Sequence, residues 1–201
     1  MNVVRHLAII VAALRLKLVR AVLRHRIQYL HPTLVSDPTV VWDYSYRHID
    51  AIQLGRGVQV RGLTEVIVYK HVRYSSLEGR LILGDGVVLS TGTNVRAAGG
   101  TISIGDYSGI GQHCVLISAN HTIDRGKPYF NTPWDETRTG ITIGRNVWVG
   151  AQCVILPGVT IGDNAIIAAG SVVNANVPAN EIWGGVPARK IKDVPELSAA
   201  G

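Results

Sequence analysis

Proton chemistry near neutral pH falls first to histidine, whose unperturbed pKa lies there. The chain has seven histidines: His6, His25, His31, His48, His71, His113 and His121. His6 and His25 belong to a basic N-terminal segment, and His31 and His48 to chain without clear periodicity. These four read as solvated or structural. His113 falls on an outward position of a repeat. His121 differs, because it is the last residue before the stretch 122–142, rich in Pro, Gly and charge. A break that long in a regular chain is usually functional. Its neighbour Asn120 breaks a rule that otherwise keeps equivalent positions small or β-branched, and sites tend to fall where a local pattern fails. His121 is therefore the candidate general base. Asn120 is a candidate for holding substrate or an oxyanion, with corner capping as the structural alternative.

Other chemistries find little support. The two cysteines, Cys114 and Cys153, cannot build a disulfide framework, and no CxxC or Cys/His cluster suggests zinc. No metal is expected, and lone thiols fit a reducing compartment, the cytoplasm. No Walker motif appears, nor a G-x-G-x-x-G followed by a helix. The formal charge is +6, yet Arg5, Arg15, Lys17, Arg20, Arg24 and Arg26 all lie in residues 1–36, which hold no acid. From Asp37 onward basic and acidic residues balance, so the body offers no basic stripe to nucleic acid.

The elements that must position these residues come from a repeat. The composition is 47% hydrophobic with 22 glycines and only 6% aromatics, which excludes a disordered chain and favours strands joined by tight turns. An aliphatic residue returns every sixth position at Leu83, Leu89 and Val95. The phase slips by three residues at Thr101–Ser103 and resumes at Ile104, Ile110 and Leu116. After the break come Ile143, Val149, Ile155, Ile161, Ile167 and Val173. The fifth position of each hexad is small or β-branched, and both cysteines fall on it as buried core thiols. Three hexads make one triangular coil of a parallel β-helix, each face giving a short strand. Full coils are expected at 83–100, 104–121, 143–160 and 161–178, with a degenerate coil at 54–71. The chain divides into a basic helix in 1–36, a lead-in at 37–82, a β-helix at 83–178 interrupted by the loop 122–142, and a tail at 179–201.

The hexads from I143-G-R-N-V-W through I167-A-A-G-S-V, with the ending Gly184-Gly185-Val186-Pro187-Ala188-Arg189-Lys190-Ile191, resemble the hexapeptide-repeat acyltransferases. The resemblance covers about residues 83–192. It points to the galactoside, maltose, xenobiotic and polysaccharide O-acetyltransferase branch. It implies a left-handed β-helix, a homotrimer, and acetyl-CoA bound between neighbouring subunits, with no metal. It implies that His121 is the catalytic base. It implies that Ala151 meets the thioester end, and that Ala169 and Gly170 bond the pantetheine amides through backbone groups. Arg189 matches an arginine on CoA phosphate, and Lys190 or Lys192 adds charge. Trp148 is either packing at the loop base or a wall of the thioester pocket. The acceptor-binding positions of the galactoside and maltose enzymes find no match around Thr91–Gly100, so a free disaccharide is not the expected acceptor.

The resulting expectation is direct acetyl transfer from acetyl-CoA to a sugar hydroxyl in surface polysaccharide synthesis. N-acetylation of an amino sugar, or acetylation of a xenobiotic, is the alternative within the class, and a β-helix scaffold the non-enzymatic one. A zinc-dependent β-helix enzyme would need three histidine ligands, but His113 and His121 stand eight apart and no third joins them. Residues 1–30 read as a helix ended by His31-Pro32, with Val3, Leu7, Ile10, Leu14, Leu18, Ala21 and Val22 on one side. The apolar run Leu7 to Leu14 is far short of the ~20 residues that span a bilayer, and no cleavage site follows it. The helix fits either peripheral contact with the inner membrane face, or packing that caps the β-helix or a neighbouring subunit.

Overall fold

A computed structural model describes residues 3–196. The chain winds as a three-faced parallel β-helix. Face A stacks Val35–Ser36, Gln59–Val60, Val88–Leu89, Gly109–Ile110, Trp148–Val149, Ile166–Ile167 and Glu181–Gly185. Face B stacks Val41–Tyr44, Glu65–Tyr69, Asn94–Ala98, Val115–Ile117, Val154–Ile155 and Val172–Val173. Face C stacks Ile52–Leu54, Arg80–Leu83, Thr101–Ile104, Ile141–Ile143 and Val159–Ile161. All these pairs are parallel, and the hexad aliphatics lie in register: Leu89 beside Ile110 beside Val149 beside Ile167.

The sequence period and the core coincide because each inward aliphatic stacks on its equivalent one coil away, which removes it from water. The fifth hexad position points inward too. Thr93, Ser108, Cys114, Cys153 and Ser171 are all fully buried, with hydroxyls and thiols bonded to backbone carbonyls. Contact with Cys153, together with burial, pushes the Cys114 thiol up, so it stays a protonated core group.

Four expected boundaries change. Val35–Ser36 and Val41–Tyr44 already belong to the first coil, so the helical segment does not extend to 36 and the lead-in 37–82 is part of the β-helix, with insertions at one corner. The period is hidden there because Ser36 and Trp42 occupy inward positions, the Ser36 hydroxyl accepting the Trp42 indole N–H at 3.3 Å. The interruption runs from 118 to 140 rather than 122 to 142, since Ile141–Ile143 is a strand with Ile141 and Ile143 buried. The tail folds back: Glu181–Gly185 pairs antiparallel with Ala188–Asp193 and closes the end of face A.

The insertions between strands of the coils, among the described residues, share one edge, the corner between faces B and C. It holds the short helix Tyr46–Ala51, residues 70–79, the three extra residues 98–100 that cause the phase slip, and the excursion 118–140.

The helix Val3–Leu30 caps the first coil with its last turns alone. Leu23 and Ile27 enter the core, the Tyr44 hydroxyl donates to the Leu23 carbonyl at 2.9 Å, and Arg26 lies 3.8 Å over the Tyr46 ring. The expected stripe is not the face that packs: Leu7, Ile10, Leu14, Leu18, Ala21 and Val22 are all exposed. The side chains of Val3 and His6 lie outside those described, as do residues 1–2 of the segment and 197–201 of the tail.

Candidate active site

The excursion 118–140 leaves the B–C corner and returns to it. Its two limbs bond to each other: Thr122 N–H donates to the Pro133 carbonyl, and Asp135 N–H to the Asn120 carbonyl, both at 2.8 Å. Trp134 N–H and its indole N–H then donate to the Tyr74 and Arg73 carbonyls at 3.3 and 2.8 Å. The Glu136 carboxylate accepts from Ser76 N–H, Ser76 Oγ and Ser75 Oγ. These bonds hold its carboxyl below the ordinary range, Ser76 foremost. The excursion is thus clasped to the 70–79 loop.

This clasp positions His121. Its Nδ1 lies 2.9 Å from the Thr132 carbonyl, an acceptor, so Nδ1 carries the proton and donates it. Nε2 is then left with a lone pair, the tautomer a base requires. Thr132 is itself buried and pinned, its hydroxyl donating to the Tyr129 and Thr122 carbonyls. The Trp134 ring lies against the imidazole at 4.4 Å between centroids, and Tyr129 meets it edge-on at 5.9 Å. Asp124 does not orient the imidazole. It turns to Lys127 at 3.2 Å and accepts from Gly126 N–H.

Asn120, His121, Ile123, Tyr129, Trp134 and Asp135 line an open groove of about 800 Å³. Asn120 is exposed there, its side chain uncommitted among the described hydrogen bonds. A half-buried imidazole with a fixed tautomer beside aromatic faces can accept a proton from a hydroxyl laid on those faces.

The remaining expected residues lie elsewhere. Trp148 stands on face A, 63% exposed and away from the base of the loop. Beside it in the ladder is Gly109, at which a Cβ would meet nothing within 4 Å. Ala151 lies against the consecutive Ala169 and Gly170 of the next coil at the A–B corner, where Gly170 N–H donates to the Ala151 carbonyl at 2.8 Å. A Cβ at Gly170 would likewise face open space. This edge presents backbone and an exposed indole with room beside them, a shape that fits a long, thin cofactor. His113 is at the same corner with φ +56, its ring set against Gly92. Arg189 and Lys192 are exposed on the terminal hairpin, without an ion-pair partner among the described residues. Lys190 is already held by Glu181 at 2.8 Å and Asp193 at 2.7 Å, and these carboxylates raise its pKa, Asp193 foremost. Within one chain, therefore, His121 and Asn120 come together, while Trp148, Ala151, Ala169, Gly170 and the tail cations form a second group one corner away.

Sequence reasoning missed Thr132, Trp134 and Tyr129. The available signal was compositional: Tyr129, the chain's single Phe at 130, and Trp134 crowd a polar loop in a protein with few aromatics.

Residues 140–175 match the family model for the bacterial transferase hexapeptide (six repeats). The repeat read from the sequence is thus the hexapeptide repeat of bacterial transferases over those residues. The chain is 39% identical over 98 residues to the galactoside O-acetyltransferase of Escherichia coli, covering 47% of this chain and 45% of that one. It is 33% identical over 114 residues to the E. coli protein named "Putative colanic acid biosynthesis acetyltransferase WcaF", covering 57% and 59%. The matched stretch spans about half the length of these curated relatives. Among solved structures, this hexapeptide-repeat chain superposes on AntD, an N-acyltransferase from Bacillus cereus, with a TM-score of 0.65 at 19% identity over 82% of each chain. It also superposes on perosamine N-acetyltransferase from Caulobacter crescentus, with a TM-score of 0.52 at 22% identity over 80% of this chain and 58% of that one. Both were solved with coenzyme A and a nucleotide-linked amino sugar. These likenesses establish the fold, a left-handed parallel β-helix, as the sequence led us to expect.

Proposed function

We propose that this protein is an acetyl-CoA-dependent O-acetyltransferase acting on a sugar hydroxyl in surface polysaccharide synthesis. The observation that carries the reading is His121, whose Nδ1 is committed to the Thr132 carbonyl and whose Nε2 is left to accept a proton. The galactoside and colanic acid names of the relatives support a carbohydrate acceptor.

Acetyl-CoA supplies an activated acyl group. The chain supplies the rest. Trp134 and Tyr129 offer flat apolar faces for the CH side of a sugar ring, and His121 takes the hydroxyl proton as attack begins. Asn120, exposed in the same groove, would donate to substrate or to the developing oxyanion. Backbone groups at Ala151, Ala169 and Gly170 would bond the pantetheine, with Trp148 as a wall and Arg189 and Lys192 toward the phosphates. Lys190 is the weakest of these assignments, since two carboxylates already claim it.

Direct transfer needs base and thioester within reach. In one chain His121 and the edge assigned to the thioester lie at different corners, so the working site would need the A–B edge of a second copy beside the B–C edge of the first. A homotrimer closes such a ring with every site shared. The exposed Ile123, Tyr129 and Phe130 side chains on the excursion support this, as apolar surface awaiting a neighbour. We assign the reaction to the cytoplasm because acetyl-CoA is made and used there.

N-acetylation of an amino sugar is the second reading, favoured by the fold likeness to AntD and perosamine N-acetyltransferase. One assay separates the readings. CoA release is followed with hydroxyl-bearing and amino-bearing sugars, and the product is treated with mild alkali, which cleaves an ester and leaves an amide. An alkali-labile product supports the proposal. An alkali-stable one shifts it to the amine. No release with any acceptor, together with no binding of acetyl-CoA, points to a scaffold. Activity in a species sedimenting as a monomer would overturn the shared site.

A further inference from the structure

The N-terminal helix is longer than its cap requires. It runs from Val3 to Leu30, about 42 Å at 1.5 Å per residue. Its first buried described residue is Leu23. At 100° per residue, Leu7, Ile10, Val11, Leu14, Leu18 and Val22 share a sector about 120° wide. Leu23 and Ile27, which plug the first coil, fall on the opposite side. The outward stripe therefore continues past the packed turns without a partner.

Its borders are basic. Arg15 and Arg26 fall along one edge, Lys17 and Arg24 along the other, and Arg5 and Arg20 lie on the remaining surface. We propose that this helix docks the protein on an anionic lipid surface through that stripe, lying in the interface with its cations among the headgroups. An apolar sector flanked on both sides by long cationic side chains suits that geometry, since each stem extends along the apolar layer while its charge stays in water. Charge complementarity selects the occupant. Helices of two copies meeting on this stripe would bring the four bordering cations of one against the four of the other, with no acid in residues 1–36 to offset them. An anionic surface attracts the same cations, each by about 1 kcal/mol. No helix among the described residues is long and apolar enough to cross a membrane, so the contact is one of lying on the surface. The inference does not depend on the proposed activity.

The test is flotation of the full chain with vesicles of equimolar phosphatidylglycerol and phosphatidylcholine, beside vesicles of phosphatidylcholine alone. The protein should float with the anionic vesicles at low salt and much less with the neutral ones. Ile10→Asp with Leu14→Asp lies clear of the capping turns, so melting and circular dichroism should stay native while partitioning falls by roughly a hundredfold or more. Arg15→Gln with Lys17→Gln should weaken partitioning roughly thirtyfold at low salt. The proposal is overturned if the full chain never floats with anionic vesicles at low salt, or if the natively folded aspartate variant floats as well as wild type. It is also overturned if, without lipid, the aspartate pair reduces the sedimenting mass, which would give the stripe to a second copy.

Discussion

His121 is defined by what it cannot do as much as by what it can. Nδ1 is spent on the Thr132 carbonyl, so Nε2 is the ring nitrogen left to meet whatever occupies the groove. His121→Ala should lower turnover by about 10²–10⁴ while leaving the dissociation constant for acetyl-CoA almost unchanged, as single-turnover kinetics and calorimetry would show. Arg189→Ala should do the reverse, weakening CoA binding with turnover at saturation preserved. Because the guanidinium is exposed, the loss should shrink as salt is raised. His121 was legible in the sequence because it sits where the repeat stops. Its orienting carbonyl was not, because Thr132 reaches it only after the chain has doubled back over eleven residues, a contact that no local period encodes. Asp124, nearer in sequence, pairs with Lys127 instead.

The excursion and the 70–79 loop act as one element, joined by Trp134 and Glu136. Nothing in their spacing, 61 residues apart at the Trp134–Arg73 bond, announces that they meet. The common corner explains it: both are insertions at the same edge, separated by one coil whose own insertion, 98–100, is short enough to let them meet. Glu136 gives the clasp a pH dependence. Its folded carboxyl lies below the ordinary value, chiefly through Ser76, so its contribution is complete above that ordinary value and is lost as pH falls through the lowered one. Protection of the amides around Ser76, taken relative to the intrinsic exchange rate at each pH, should fall on acidification while the coil amides stay protected. Glu136→Gln should give the same loosening at neutral pH and lose activity along with it.

At the scale of the whole molecule, stability comes from a stack in which each coil covers the next. The periodic coils from 83 onward were readable because one aliphatic per hexad suffices to define them. The first coil was not, since Ser36 and Trp42 fill its inward positions by a hydrogen-bonded pair rather than by an aliphatic stack. The helical cap was readable as a helix, but the side it buries was not, because two apolar sectors compete and only the fold decides between them. Ile27 is fully buried at that end, so Ile27→Ala should cost about 2–5 kcal/mol in chemical denaturation. The same truncation at the exposed Ile10 should be nearly silent in that measurement.

The amide of Gly140 donates to the carbonyl of Ser118 at 2.7 Å, so the chain comes back, after its long detour, to the point where it left. Across that junction the ladders continue on either side, Leu116 paired with Ile155 and Ile104 with Ile143. The detour therefore hangs from the spiral at its own mouth, at the 70–79 clasp and at the Arg138 bond to the Pro157 carbonyl, while the ladders beneath run on without it. Joining 118 to 140 through a short glycine link should yield a chain that melts as a cooperative β-helix, keeps the coenzyme edge, and transfers nothing. Grafting another excursion onto the same two residues should restore transfer with a different acceptor preference, measured as the ratio of kcat/KM values. That pair of outcomes would separate a coenzyme edge held by the spiral from an acceptor choice held by the excursion.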